Sequence, residues 1–436
     1  MYKQQFAQWV EDHRQEILDK WMELIRIPSV HSDEAQENAP FGVECDRALS
    51  LAASWYDDAV VNHKEGYAYA DYGTGEKLIG IFGHSDVVPV GDGWLYTEPF
   101  NPVIKEGTLI GRGSTDNKNG IVASWCVLQM FKDLGIKTNH RIRAFIGSNE
   151  ESGMADIEAY VRNEQMPDLS IVPDSAFPCS IGEKGIFRSW AKSRKKLSYV
   201  TEFVGGDAFN SVLDKVTVKC IDGTTFTTVG VSKHAGSPEG SVNAAFLAAQ
   251  KLLDSPDGEL MAAAAKVLES PYGEGLGIVH TDEEFGRTSA ANGMVKIEDG
   301  HLCISLDIRY GASFDPKDLE EKLAAGWDAL GFDLTYINNR PGFSVSASPV
   351  PGIFKKLYEE ATGTDKDNYR MAGGTYSRYL KNSFTTGTVI PGYPRFEFPA
   401  GHGTAHSRDE GASIEGFMQG IQLLAQYVLA CDQINN

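Results

Sequence analysis

The 436-residue chain is poor in cysteine: its six, at 45, 126, 179, 220, 303 and 431, lie far apart with no Cys-x-x-Cys pair. That argues against a disulfide scaffold and against a cysteine zinc site, and makes a reducing cytoplasm the natural expectation. Long apolar runs are missing too. No stretch of about 18 apolar residues exists, so no transmembrane helix is expected. The opening MYKQQFAQWVEDHRQ lacks the apolar block and small-residue cleavage site of a signal peptide. Positive charge is scarce: 40 basic against 60 acidic side chains leave a formal charge of −20. Nucleic acid and anionic membrane surfaces would repel such a chain, so neither is an expected partner. There is no internal repeat and no low-complexity tract. What is present suits a folded protein. Apolar residues make up 42%, too many for a disordered chain, and the length suits two domains.

Phe6, Val10, Ile17, Trp21, Leu24 and Ile25 recur at helical spacing up to Pro28, which predicts an amphipathic helix. The short run 78–82 ending at Gly83 reads as a buried strand, and Pro89 to Gly113 as turn-rich. Helix is expected over 118–134, and strands over 141–147 and 170–173. Alternating strands and helices predict an α/β domain with a largely parallel sheet. The pattern changes after about residue 192. Lys192–Lys196 is read as a linker or an exposed edge. Short strands are expected over 198–204, 216–221 and 226–231. Residues 294–297 and 302–308 flank Glu298-Asp299-Gly300, a hairpin signal. With helices at 242–254 and 316–330 this is an α+β segment. Residues 339–351 read as a second linker, followed by helices at 352–362 and 413–430 and strand-like material at 384–390. The expected division is a first domain built from 1–192 and 345–436, with 193–344 inserted.

The residues that carry chemistry follow the strands of the first domain, where open α/β sheets place ligands. His84 and Asp86 are two apart, so Asp86 can accept the second ring proton of His84 and fix its tautomer. By itself His-x-Asp is a common triplet. Asp116 lies at a helix entry, where an N-cap is the plain alternative. Glu150-Glu151 follows a strand; a buried carboxylate pair needs cations or a shared proton, whereas an exposed pair means nothing. Asp174 follows the next strand, and His402 and His406 lie far downstream in a Gly/Ala-rich stretch. Imidazoles and carboxylates converging on one rim suit zinc, manganese or cobalt. A bridged pair of such ions activates water and polarises a carbonyl, with one further carboxylate as general base.

Several segments carry a resemblance in family order: GHSDVVPVGDGW (83–94), GTLIGRGSTDNKNG (107–120), GSNEESG (147–153), PDSAFPCSIGEKG (173–185), VGVSKHAGSPEGSVNAA (229–245), DIRY (307–310), GGTYSRYL (373–380) and IPGY (390–393). Nearly end to end, the chain resembles the dinuclear metallopeptidases that include carboxypeptidase G, acetylornithine deacetylase, succinyl-diaminopimelate desuccinylase and the bacterial dipeptidases. It looks most like the dipeptidase V branch, which cleaves Xaa-His and related dipeptides. The resemblance implies a zinc-exopeptidase-like α/β catalytic domain, mostly parallel sheet flanked by helices, with an inserted α+β lid. It implies two divalent ions, zinc foremost and manganese or cobalt as alternatives. His84, Asp116, Glu151, Asp174 and His406 would be the ligands, Asp116 bridging. Glu150 would be the general base and Asp86 would orient His84. From the lid, His234 would stabilise the oxyanion with help from Asn210, and Arg309 would pair with a substrate carboxylate. His402 is the rival of His406 and is left unassigned.

Asn117 and Asn119 depart from the family pattern, in which Asp-Asp-Lys-Gly or Asp-Met-Lys-Gly is usual. Gly311 stands where proline commonly follows the Asp-Ile-Arg-Tyr run. The expected activity is hydrolysis of short unblocked peptides, as a monomer or a lid-mediated homodimer in the cytoplasm. An N-acyl amino acid deacylase is the alternative, and an inactive binding protein on the same fold the remaining one.

Overall fold

A computed structural model describes residues 2–434. The chain divides into two compact units. The first comprises the residues up to Ile181, Val345–Tyr369 and everything from Thr375; the second comprises Gly182–Ser344 and Arg370–Gly374. Each has its own apolar core.

In the first unit, Leu78–His84 is the middle of the sheet and is buried along its whole length. Its sequence, LIGIFGH, is nearly continuous in apolar residues and glycine, as expected of a parallel strand covered on both faces. It runs parallel to Arg141–Gly147 on one side and to Leu169–Ser175 on the other. Ser383–Gly387 continues the parallel set beyond Leu169–Ser175. Tyr67–Tyr72 and Val60–Asn62 close the opposite edge in antiparallel register. Side chains alternate between faces. Ile79, Ile81, Ile142 and Ala144 pack with helices Lys118–Asp133 and Ile414–Asp432. Phe82, Phe145 and Val172 pack with helix Ala155–Asn163. Helices therefore cover both faces, and the parallel strands deliver their carboxyl ends to one rim. The amphipathic stretch at the amino end is two helices rather than one, Lys3–Asp12 and Arg14–Ile25. The break falls at His13, whose ring stacks on Trp9 at 4.1 Å.

The second unit is antiparallel. Ser289–Ala291, His301–Tyr310, Gly185–Lys196 and Phe332–Arg340 form one sheet, with Val295–Glu298 also paired to His301–Tyr310. The expected hairpin turns at Asp299 and Gly300, both at positive φ (54° and 83°), the signature of the turn that matches strand twist. A three-stranded sheet of Val200–Val204, Lys215–Cys220 and Thr225–Val229 lies within the same unit. Its helices are Ala244–Lys251, Gly258–Leu268 and Pro316–Ala329.

Residues 192–196 do not form a linker. They end the strand Gly185–Lys196, where Arg194 pairs with Asp328 and Asp333, and Lys195 with Glu259. The first unit accordingly gives way at Ile181, ahead of the expected 192. The stretch 339–351 is not continuous linker either: it holds the end of Phe332–Arg340, the pair Phe343–Ser344 and the start of helix Val350–Thr362. Among the described residues no helix is long and apolar enough to cross a membrane. All six cysteines are buried and unpaired.

Candidate metal centre

Three neighbouring parallel strands supply the rim. His84 is the last residue of Leu78–His84, Glu150 and Glu151 follow Arg141–Gly147, and Asp174 is the penultimate residue of Leu169–Ser175. Asp116 stands two residues before helix Lys118–Asp133. The N-cap position is Asn117, and its side chain makes no capping bond. The Asp116 carboxylate is thus free of capping and turns to the rim, across a cis Asp116–Asn117 peptide. His406 comes from the loop ahead of the last helix.

The five expected ligands and the expected base meet here. His84 Nε2 lies 3.2 Å from Asp116 Oδ1 and 3.6 Å from Asp174 Oδ1. His406 Nε2 lies 3.0 Å from Asp116 Oδ2 and 3.0 Å from Glu151 Oε1. Asp116 therefore offers one oxygen to the His84–Asp174 half and the other to the His406–Glu151 half. Donor atoms of His84, Glu150 and Asp174 lie within 4.8 Å of one another, as do those of His84, Asp116 and Glu151. The cluster is closed on one side and open on the other: the His84 side chain is 1% exposed and that of His406 53%.

Carboxylates this crowded need a cation or shared protons. Burial, with Asp116 nearby, pushes Asp174 up to about 7. Burial likewise raises Glu150 and Glu151, with Asp174 and Asp116 respectively the chief like charges. Bonds to Asp116 and Glu151 lift His406 to about 11. Burial opposes ionisation of Asp116, but the bond from His406 and the neighbouring His84 ring outweigh that and hold it low. Glu150 Oε1 and His84 Nε2 are sealed from solvent without a hydrogen-bond partner among the described residues. Buried polar atoms left unmade in this way are costly, and here they point inward on hard and borderline donors. The residues present thus fit divalent metal.

The supports are equally specific. His84 Nδ1 lies 3.0 Å from the carbonyl oxygen of Asp86 and 3.4 Å from its carboxylate. A carbonyl only accepts, so Nδ1 is the donor and the ligating lone pair of neutral His84 sits on Nε2. The Asp86 carboxylate also accepts from the backbone N–H groups of Glu150 and Glu151, both at 3.1 Å. Residues not foreseen from sequence also contribute. Asn117 donates to the Pro173 carbonyl at 2.7 Å and accepts from His84 N–H at 3.3 Å. It bridges the two strands just before His84 and Asp174. Gly83 and Gly120 leave the room: a Cβ at either would stand 2.9 or 2.2 Å from Asn117 Oδ1. Asp156 accepts from Ser148 and Asn149 N–H and from the Tyr376 hydroxyl. His402 is not part of the cluster; its Nδ1 pairs with Asp409 Oδ2 at 2.5 Å.

The remaining expected residues lie in the second unit. Asn210 and His234 lie on paired backbone segments there, the Asn210 main-chain carbonyl accepting from Ala235 N–H at 2.9 Å and Ser211 bridging to His234. His234 is exposed, and its Nδ1 accepts from Gly236 N–H at 3.1 Å. That leaves the ring proton on Nε2. Partial desolvation of the ring and the charge of Arg309 lower its pKa and favour the neutral form. Arg309 is buried, and much of its fork is already engaged, by Asp307 and by the Ala372 carbonyl.

Similar proteins share this architecture. The chain is 29% identical over 427 residues to the Beta-Ala-Xaa dipeptidase of Lactobacillus delbrueckii subsp. lactis, covering 88% of this chain and 90% of the relative. Human carnosine dipeptidase 1 superposes with a TM-score of 0.66 at 15% identity, over 100% of this chain and 99% of the other. Aminoacylhistidine dipeptidase from Vibrio alginolyticus gives 0.61 at 15% identity, over 95% and 96%. Such likeness between distant sequences reflects the fold. The model of peptidase family M20/M25/M40 matches residues 80–430, a span that takes in every member of the rim cluster, and the chain belongs to that family of peptidases.

Proposed function

We propose that the protein is a dinuclear metal-dependent dipeptidase. One observation carries the reading: the two oxygens of Asp116 face two separate imidazole–carboxylate pairs, while Glu150 stands beside them with a buried oxygen uncommitted. His84 and Asp174 would hold one ion and His406 and Glu151 the other, with Asp116 shared. Zinc suits this donor set best, and manganese or cobalt are the alternatives. When bound, the ions supply Lewis acidity for the scissile carbonyl and for the attacking water.

Glu150 takes the proton from that water as its oxygen bonds to the peptide carbonyl carbon. As the C–N bond breaks, Glu150 returns the proton to the leaving nitrogen, and the remaining water proton passes from the new acid to the amine, giving a carboxylate and an ammonium group. Asp86 holds the Glu150 backbone and keeps His84 in its ligating tautomer. His234, neutral and with its proton on Nε2, is suited to donate to the developing oxyanion. Arg309 retains N–H groups for a substrate carboxylate beyond those engaged by Asp307 and Ala372. Six buried free thiols support a reducing compartment.

The test is hydrolysis of a panel of unblocked dipeptides, their N-acetylated single-residue counterparts and one tripeptide, by chelated protein reconstituted with zinc or manganese. Metal-dependent cleavage of free dipeptides at two ions per chain is expected. Cleavage of acylated amino acids alone would reassign the protein as a deacylase, and no turnover with metal bound would make it a binding protein.

A further inference from the structure

The loop that brings His406 to the rim is held by no helix or strand of its own. His406 and Asp409 sit at φ 62° and 50°, a region uncommon outside glycine although His and Asp enter it more readily than most. Two carboxylates anchor the loop. Asp409 accepts from the backbone N–H groups of Leu95 and Tyr96 at 3.0 Å. Glu410 is fully buried and reaches further into the site. Its Oε1 accepts from Thr115 N–H at 2.7 Å, Thr115 Oγ1 at 2.8 Å and Asp116 N–H at 3.0 Å. Its Oε2 accepts from Arg112 Nη1 at 2.7 Å, and Arg112 is itself 1% exposed. The Glu410 carbonyl accepts from Gly111 N–H at 2.8 Å.

One oxygen that receives two consecutive amides fixes the orientation of the peptide between them. That peptide leads into Asp116, so its plane sets the direction in which the Asp116 carboxylate leaves the backbone. Both oxygens of Glu410 are engaged by donors on protein, so Glu410 is not itself placed to ligate. Only three residues separate it from His406. We propose that Glu410, balanced by Arg112, is a positioning residue that holds Asp116 and the His406 loop in mutual register for metal binding. The proposal rests on the reading of Asp116 and His406 as ligands.

The experiment uses the full chain, stripped and titrated with cobalt(II), which reports coordination through its visible spectrum. Truncating Glu410 alone would strand a buried guanidinium, so Arg112→Met accompanies both variants. Glu410→Leu/Arg112→Met removes the acceptor, whereas Glu410→Gln/Arg112→Met retains an oxygen for the two amides. The leucine variant is expected to bind one of its two ions about 10–100-fold more weakly, the usual scale for losing a ligand's supporting partner, with an altered spectrum. The glutamine variant is expected to recover most of both. Both metal-free forms should stay folded at the temperature of the titration, the leucine variant melting lower because two buried amides lose their acceptor.

Wild-type affinity and spectrum in the leucine variant would overturn the proposal. So would affinity lost equally at both ions with an unaltered cobalt spectrum, or failure of both variants to fold, because the pair would then serve stability alone. Asp116→Asn is the control for the underlying reading. If that variant binds both ions as the wild type does, the ligand assignment fails, and not the role of Glu410 alone.

Discussion

Glu150→Gln separates a general base from a metal ligand. Donor atoms of Glu150, His84 and Asp174 lie within 4.8 Å of one another, so distance alone admits either role. Glutamine keeps the shape and removes the proton acceptor. A positioned base contributes about 10²–10⁴ in rate, or ~3–5 kcal/mol of barrier, so kcat should fall by that factor with KM little changed. Metal content should stay at the wild-type level. In alkaline buffer, where Glu150 ionises despite its raised pKa, the metal-free protein should gain stability. Two ionised carboxylates within 4.8 Å of each other repel by ~3 kcal/mol or more at an effective dielectric of about 20, and part of that strain disappears with the Glu150 charge. Scanning calorimetry of stripped protein should therefore show a transition a few degrees higher. Steady-state hydrolysis of a dipeptide, metal analysis by mass spectrometry and calorimetry on one preparation read all three quantities. Metal lost in proportion to activity would make Glu150 a ligand, and a tenth or more of wild-type kcat at full occupancy would remove it as the base.

The second unit offers tests that do not touch the rim. Asp282 accepts from Glu284, Phe285 and Ser313 N–H and from Ser313 Oγ; these bonds outweigh its burial and hold its pKa at about 2, against an ordinary 3.8. A depressed carboxylate stabilises fully above its unfolded value and loses that contribution as pH falls through the folded one. Asp282→Asn should therefore cost about 2 kcal/mol near neutrality, shrinking between pH 4 and 2; a gap independent of pH in paired urea titrations would refute this. A Cβ at Gly311 would stand 2.2 Å from Asp282 Cβ, so Gly311→Ala should cost about 1–3 kcal/mol by overpacking, read by the same titrations. Asn117→Leu should weaken zinc binding about tenfold in a calorimetric titration, because the bridge between His84 and Pro173 is lost; unchanged affinity would make Asn117 incidental.

Periodicity located the strands that matter most, because Leu78–His84, Arg141–Gly147 and Leu169–Ser175 are short apolar runs punctuated by glycine or proline. It missed helix Gly258–Leu268, whose Ala262–Ala265 run gives neither a clear face nor a strand signal. It merged two helices across His13, since the apolar spacing carries through the break. Lys192–Lys196 resembled a linker because a strand end that meets its counter-ions across the sheet looks, in one dimension, like a bare run of charge. The rim carboxylates were individually weak signals. Proximity in space gives Glu150-Glu151 or Asp116 its meaning, and that depends on strands from distant parts of the chain. Asn117, Asp156 and Glu410 carried no signal as site residues, because each acts on the backbone of another segment.

Those backbone anchors answer a physical problem. Four carboxylates crowded beside two imidazoles cannot hold their own arrangement before metal arrives, since the acids repel one another. Their geometry has to be imposed through the main chain. Asp86 binds the amides of Glu150 and Glu151, Asp156 those of Ser148 and Asn149, Glu410 those of Thr115 and Asp116, and Asn117 the amide of His84 and the carbonyl of Pro173. Asp156 bears part of the cost itself, burial pushing it up to about 6. Gly147 shows how tightly the space is used, since a Cβ there would stand 1.9 Å from the Tyr376 hydroxyl that donates to Asp156. Each strand end or loop that carries a rim acid is thus fixed by a polar side chain from elsewhere, and the ligands are preorganised although their charges oppose it. The fold thereby stores the repulsion that metal binding relieves, which is why a cation should both activate this protein and stabilise it.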